Sequence, residues 1–93
     1  MFCWLYKGNF TLYRLLNSGN ELTQLDLSQN GLLSVPSTAI RNLHRLLILN
    51  LNHNRITAIH NKVFEGLDTL EILTLYGNKI TIFESHAFKG LDK

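Results

Sequence analysis

Hydrophobic residues recur along this chain with a constant spacing of 24 residues from position 22 onward. Seven apolar positions and one asparagine return three times without insertion or deletion. The three clearest apolar columns are Leu22, Leu46, Leu70; Leu25, Leu49, Leu73; and Leu27, Leu51, Leu75. The asparagine column is Asn30, Asn54, Asn78. Chance clustering does not keep such a register, so the repeat is the structural unit of the chain.

Each repeat begins with alternating apolar and variable positions, which predicts a short strand with one buried face. A strand that returns every 24 residues in the same direction pairs in parallel with its predecessor, and parallel pairing requires a crossover. The second half of each repeat is too short for a long helix. We expect irregular or 3₁₀ turns there, with single helical turns near residues 37–42, 62–67 and 86–91. Periodicity alone therefore predicts a solenoid of parallel strands.

The recurring asparagine falls where the chain must turn after each strand. A buried turn leaves backbone N–H and C=O groups unpaired, at a cost of about 1–3 kcal/mol each. An inward-facing amide offers donors and acceptors, so it can bond to the turn of its own repeat and to that of its neighbour. We therefore predict a ladder of Asn30, Asn54 and Asn78.

The repeat divides most of the chain into three units, residues 22–45, 46–69 and 70–93. Residues 1–21 fall outside this register, although Met1, Trp4, Tyr6 and Asn9 have the spacing of a repeat start. Residues 1–21 are therefore either a degenerate repeat or a divergent start joined to the repeat region. We expect a partly ordered segment that lays Trp4 and Tyr6 over the first core layer.

A family resemblance rests on three successive motifs, LTQLDLSQNGLLSVP, LLILNLNHNRITAIHNKVFEGL and LEILTLYGNKITIFESHAFKGL. Residues 22–93 resemble the leucine-rich repeat family, and more narrowly its typical class. The resemblance implies an α/β solenoid: a right-handed coil with a short-stranded parallel sheet on its concave face and irregular, 3₁₀ or short helical turns on its convex face. Two details depart from the class, because Ile40 replaces its usual phenylalanine and only the first repeat keeps a proline, Pro36.

The same resemblance implies a function. Typical-class repeats occur mostly in extracellular proteins such as Slit, chaoptin, the Toll receptors and adhesion proteins that add immunoglobulin domains. We therefore expect a protein–protein interaction module from an extracellular or cell-surface parent, acting in adhesion, guidance or receptor recognition. Two alternatives are the recognition region of a larger extracellular enzyme or receptor kinase, and a cytosolic scaffold repeat. The chain shows no signal peptide and no capping cysteines, which suits the scaffold.

Residues between the buried strand leucines are predicted to line the concave face, where a protein partner would bind. Tyr76 is the best candidate anchor, because it joins apolar area to a hydroxyl at a small entropic cost. Asn50 and Asn52 occupy variable positions and are assigned no ladder role. The partner-binding candidates are Gln24, Asp26, Ser28, Gln29, Ile48, Asn50, Asn52, His53, Ile72, Thr74 and Tyr76. A face of three strands about 4.8 Å apart is small against the roughly 800 Å² that each partner of a standard interface buries.

Composition removes several other classes of function. The net charge is +2 and the basic residues are dispersed, so we predict no nucleic-acid binding. Cys3 is the single cysteine, which excludes an internal disulfide and a zinc site built on several cysteines. No apolar run approaches the roughly 18 residues that span a bilayer, so we expect no direct membrane insertion.

Candidate chemistry is equally sparse. His44, His53, His60 and His86 do not share a column, which leaves no predicted active site, metal site or cofactor. His60 falls one repeat before Glu84, a spacing that predicts an exposed pair. Asn9 begins the one glycosylation sequon, Asn-Phe-Thr. Without caps, we expect an open last core layer and self-association through the solenoid ends.

Overall fold

The structure is a computed structural model that describes residues 21–88 and the backbone of residues 2–4. These residues form six short strands and one short helix, α1, at Ser37–Ile40. The strands are β1 Phe2–Trp4, β2 Gln24–Asp26, β3 Ile48–Asn50, β4 Ala58–Ile59, β5 Ile72–Thr74 and β6 Ile82–Phe83.

The main sheet has the strand order β1–β2–β3–β5, and every neighbouring pair is parallel. Leu25 lies opposite Leu49, and Leu49 lies opposite Leu73. The register of β2, β3 and β5 therefore equals the 24-residue period of the sequence. This confirms the predicted parallel strands that return once per repeat.

A second, two-stranded parallel sheet joins β4 to β6, with Ala58 opposite Ile82 and Ile59 opposite Phe83. The sequence analysis expected irregular or helical structure in this half of each repeat and did not foresee this sheet. β-branched residues stand at Ile59 and Ile82, and such residues favour extended backbone. The 24-residue register then brings the two extended segments side by side.

Of the helical turns that we predicted, the described residues contain only α1. Pro36 precedes α1, and a proline's fixed φ suits the start of a helix. Residues 62–67 form turns with i→i+3 bonds, from Glu65 N–H to Lys62 O at 3.1 Å and from Leu67 N–H to Phe64 O at 3.3 Å, as the expectation of irregular or 3₁₀ turns allowed. They do not form a regular helical turn, because Lys62 and Gly66 both have left-handed backbone, with φ of 61° and 94°. Residues 85–88 form turns, and the rest of the third predicted helical turn lies outside the described residues.

The hydrophobic core is most complete in the middle repeat, where Ile56, Ile59 and Phe64 are fully buried. In the third repeat the equivalent of Ile59 is Phe83, which is 57% exposed. Phe88 stacks on Phe64 with ring centroids 5.7 Å apart, yet it is also partly exposed. Burial in this fold therefore depends on having a repeat on both sides.

Strand β1 pairs with β2 one residue away from the register that we predicted. Cys3 lies opposite Leu25, whereas the spacing had placed Trp4 in that column. The error has a simple cause: residues 1–6 are all apolar, so no alternation marks which residues belong to the buried face. The expected packing of Tyr6, the sequon at Asn9 and the end of the third repeat lie outside the described residues.

Candidate interaction surface

The main sheet buries one face on the core and exposes the other, which we call the open face. In β3 the fully buried Leu49 lies between the half-buried Ile48 and Asn50, as expected for alternating side chains. The candidate residues on the strands and just after them form three neighbouring columns: Gln24, Ile48, Ile72; Asp26, Asn50, Thr74; and Ser28, Asn52, Tyr76.

Behind this face, Asn54 ties two successive turns together with both ends of its amide. Its Nδ2 donates to the carbonyl oxygens of Leu27, at 3.1 Å, and Leu51, at 3.0 Å. Its Oδ1 accepts the backbone N–H groups of Asn30, at 3.0 Å, and Leu32, at 3.1 Å. Asn54 is only 6% exposed, so these bonds replace solvent contacts that the buried turns cannot make.

Asn78 makes a similar link one repeat later. Its Nδ2 donates to the carbonyl oxygens of Leu51, at 2.9 Å, and Leu75, at 3.0 Å, while its Oδ1 accepts the N–H of Ile56 at 3.1 Å. Asn30 donates to turn carbonyl oxygens within the first repeat, 2.9 and 3.0 Å away. The three side chains therefore form an amide ladder behind the open face.

Asn50 and Asn52 also have structural roles, which corrects our view of them as variable positions alone. Asn50 Oδ1 accepts the N–H of Asn52 at 2.9 Å and the hydroxyl of Thr74 at 3.2 Å. Asn52 Oδ1 accepts the N–H of Tyr76 at 2.6 Å. A short amide just after a strand reaches nearby turn N–H groups readily.

The first repeat carried a signal for this turn. Asp26 stands in the same column as Asn50, and its Oδ1 accepts the N–H and the hydroxyl of Ser28, at 2.9 and 2.6 Å. Asp and Asn share this local bond two residues ahead, so their recurrence in one column could have indicated it. The carboxylate of Asp26 is thus partly engaged within its own turn.

Tyr76 projects from the open face and is 73% exposed. The ring of His53 meets it edge to face, with centroids 5.3 Å apart and an interplanar angle of 88°. Gly77 permits this approach, because a Cβ at that position would lie 2.4 Å from His53 Nδ1. An exposed aromatic side chain is therefore held from one side by a neighbouring repeat.

The column that follows the strands adopts left-handed backbone, which the sequence did not reveal. Gln29, His53 and Gly77 have φ of 58°, 57° and 77°. Glycine tolerates this conformation, whereas it is modestly strained for Gln29 and His53. Gln29 and His53 therefore belong to the turn at the edge of the open face, not to its strands.

Ile48 and Ile72 lie opposite each other and form an apolar strip beside these polar groups. Ile72 is half-exposed, at 50%. The open face thus combines a short apolar strip, outward amides and one anchored aromatic side chain, which is the mixture found at protein interfaces.

Two histidine–carboxylate pairs link repeats elsewhere on the surface. The predicted pair is present, with His60 Nδ1 3.3 Å from Glu84 Oε1, and an unforeseen one joins His44 to Asp68 at 3.2 Å. The N–H of Asn61 donates to Glu84 Oε1 at 2.8 Å and, with His60 beside it, lowers the pKa of that carboxyl group. All four side chains of the pairs are exposed, so each pair stabilises the fold only weakly.

The described residues offer little toward other chemistry. Between residues 21 and 88 no three histidine, cysteine or acidic side chains come together as a metal site. No helix in this part of the chain has the length and apolar character to cross a membrane.

The comparison with known protein families agrees with the repeating architecture. The family model described as "Leucine rich repeat" matches residues 20–80 and again 48–93, which together cover most of the chain. No curated protein matches the chain. On the strength of these overlapping matches, the chain belongs to the leucine-rich repeat family.

Proposed function

We propose that this chain binds a partner protein on the open face of its main sheet, with Tyr76 as the anchor. Its family has a solenoid-like fold, and its members are typically non-catalytic modules that bind other proteins. The main observation behind this site is the exposed Tyr76, whose ring the His53 ring contacts edge to face. An aromatic side chain that is already ordered loses little conformational entropy on binding.

The side-chain amides of Asn50 and Asn52 support the same site. The oxygen atoms of Asn50 and Asn52 are committed to turn N–H and hydroxyl groups. Within the described residues, no hydrogen-bond acceptor lies against their Nδ2 groups. The face therefore presents N–H donors of fixed orientation beside the apolar strip of Ile48 and Ile72. Such a surface suits carbonyl or carboxylate oxygens that flank an apolar side chain.

We further propose that the parent protein is extracellular or at the cell surface, and that it acts in adhesion, guidance or receptor recognition through a longer right-handed coil. The phenylalanines at Phe64 and Phe88 support this reading, since they match the typical class. The competing readings are a recognition region of a larger extracellular enzyme or receptor kinase, and a cytosolic scaffold. A catalytic domain encoded downstream of these repeats would identify the enzyme or receptor kinase. Fractionation of cells that express the parent tests the scaffold reading, because a strictly cytosolic protein contradicts the adhesion role.

A selection from a displayed library of short random peptides tests the binding site. We expect peptides that bind the wild-type chain and lose most of their affinity when Tyr76 is replaced by alanine. Leu33→Ala is the matched control, since Leu33 is 71% exposed but lies beyond the turn of the first repeat. Equal binding by both variants, or no peptide enriched over an empty support, contradicts the site.

A further inference from the structure

Charge is distributed unevenly between the two edges of the open face. No acidic residue occurs in the sequence between residues 48 and 64, or between residues 72 and 83. These two segments contain β3 and β5 with the turns that follow them. They carry exposed basic residues just after the ladder asparagines, Arg55 and Lys79. The edge where these strands end is therefore basic.

Arg55 and Lys79 occupy the same column of successive repeats. The N–H of Arg55 donates to Leu32 O at 2.8 Å, and the N–H of Lys79 donates to Ile56 O at 3.1 Å. Repeats stacked at a strand spacing of about 4.8 Å bring such residues close together. Neither side chain has an acidic partner among residues 21–88, so their positive charges are not compensated locally.

The acidic residues of the second and third repeats lie away from this basic edge. The exposed Glu71 directly precedes β5, at the opposite edge of the open face. Asp68 pairs with His44 and Glu84 pairs with His60, both in the segments between strands. Asp26 belongs to β2, and neither β3 nor β5 contains an acidic residue. A negatively charged group would therefore avoid β2 and the start of β5, and lie toward the ends of β3 and β5.

The groups over β3 and β5 form an ordered series from one edge to the other. Ile48 and Ile72 lie at the start of these strands. Asn50 and Asn52 follow them, each with its Oδ1 bonded to the next repeat. The basic pair follows after the turn. Two strands are too narrow for a standard globular interface, which buries roughly 800 Å² on each side, but they are wide enough for one extended segment.

We propose that the open face recognises a short extended segment of the partner protein that carries an acidic side chain next to an apolar one. The apolar side chain packs on Ile48 and Ile72. The carboxylate accepts from the Asn50 and Asn52 Nδ2 groups and faces Arg55 and Lys79. This inference rests on the proposed function, and it adds the chemistry of the partner: complementary charge sets which segments bind and how fast.

The test uses the complete chain and the displayed library of random peptides, with three readouts. The first is the composition of the selected peptides, in which we expect aspartate or glutamate close to an aliphatic or aromatic residue. The second is salt dependence, because binding that relies on exposed charges weakens as ionic strength rises. The third is the affinity of selected peptides for charge variants of the chain.

The site variant is R55Q/K79Q, and the matched control is R41Q/K62Q. The control removes the same charge from exposed positions in the segments between strands. We expect the site variant to lose affinity by about five- to tenfold and the control by less than about twofold, as for exposed ion pairs. Thermal unfolding of both variants confirms that each retains its fold.

The outcomes distinguish a failure of the acidic-segment inference from a failure of the proposed function. Peptides that depend on Tyr76 but lack acidic residues, or bind R55Q/K79Q as well as the wild type, overturn the acidic-segment inference and leave the proposed function intact. An equal loss in R41Q/K62Q also overturns the inference, because it indicates nonspecific attraction to a basic protein. If no peptide is enriched, both proposals fail together.

Discussion

Asn52 and Asn54 are two residues apart, yet the structure uses their identical side chains for different purposes. Asn54 lies behind the open face, where both ends of its amide bond to backbone groups of two successive repeats. Asn52 lies on the open face, where its oxygen accepts the N–H of Tyr76. No acceptor in the described part of the chain lies against its Nδ2.

This difference shows that the burial of the side chain, and not the residue type, decides the role of an asparagine in these repeats. A buried amide must satisfy all of its polar groups, so Asn54 contributes to folding. At the surface, water can satisfy the remaining donor, so Asn52 can exchange water for a partner at little cost.

Replacing Asn54 with alanine should give a greater loss of stability than the same change at Asn52 or Asn78, on the order of 2 kcal/mol. The change removes the Oδ1 acceptor of two turn N–H groups, those of Asn30 and Leu32. The carbonyl oxygens of Leu27 and Leu51 keep their bonds from the ladder side chains on either side. Denaturant unfolding of Asn54→Ala measures the loss directly, with Asn52→Ala as the matched control. An unchanged midpoint for Asn54→Ala would defeat the ladder.

Asn78→Ala should cost about half as much, on the order of 1 kcal/mol. Asn78 is half-buried, and its Oδ1 accepts one backbone N–H group, that of Ile56, whereas Asn54 Oδ1 accepts two. The same unfolding series places the two variants on one scale. A loss larger than that of Asn54→Ala would show that position in the stack does not set the value of a ladder amide.

Asn52→Ala should lower stability by less than about 1 kcal/mol, because it removes one solvent-accessible bond to Tyr76. The same change should clearly weaken binding of selected peptides, since it removes an outward donor. Titration calorimetry and unfolding together separate the two effects. Strong destabilisation with unchanged binding would reverse the roles that we assign to the two asparagines.

The smallest expected effect concerns pH and the exposed Glu84. Its folded-state pKa is lowered from the ordinary value of 4.5, first by the N–H of Asn61 and then by His60. The ionised carboxylate therefore stabilises the fold above about pH 4.5, and this contribution disappears as pH falls through the lowered pKa. The amide ladder has no such dependence.

Unfolding midpoints of wild type and Glu84→Gln at neutral and acidic pH test this. We expect the wild type to be slightly more stable at neutral pH and the difference to vanish in acid. Glu65→Gln is the control, since Glu65 is exposed and has no ion pair among residues 21–88. A constant difference at every pH would show that Glu84 acts through packing alone.

Much of this architecture could be predicted from the sequence because the repeat supplies long-range information. The 24-residue spacing placed Leu25, Leu49 and Leu73 side by side, and the structure has them in register. The same spacing predicted the pair of His60 and Glu84. Residues at equivalent positions of successive repeats are neighbours in the structure when the repeats stack without insertions.

Periodicity could not reveal features that depend on local backbone. The left-handed φ of Lys62 prevented the second helical turn, and lysine gives no signal for that conformation. The bonds of Asn50 and Asn52 were missed because the sequence does not show whether a polar side chain at a variable position bonds to a neighbouring turn. The register of β1 was missed because its sequence lacks alternation. Backbone conformation, side-chain bonds and the register of β1 depend on local sequence, and three residues in one column do not determine them.

Exchange of side-chain amide protons with solvent, followed residue by residue by NMR, distinguishes the buried amide of Asn54 from the amides of Asn50 and Asn52 on the open face. The Nδ2 protons of Asn54 should exchange far more slowly than those of Asn50 and Asn52. Of these three side chains, Asn54 is the one that is buried and whose Nδ2 donates to two turn carbonyl oxygens. Similar exchange rates for all three side chains, or slower exchange at Asn52 than at Asn54, would contradict the claim that Asn54 stabilises the fold while Asn52 serves binding.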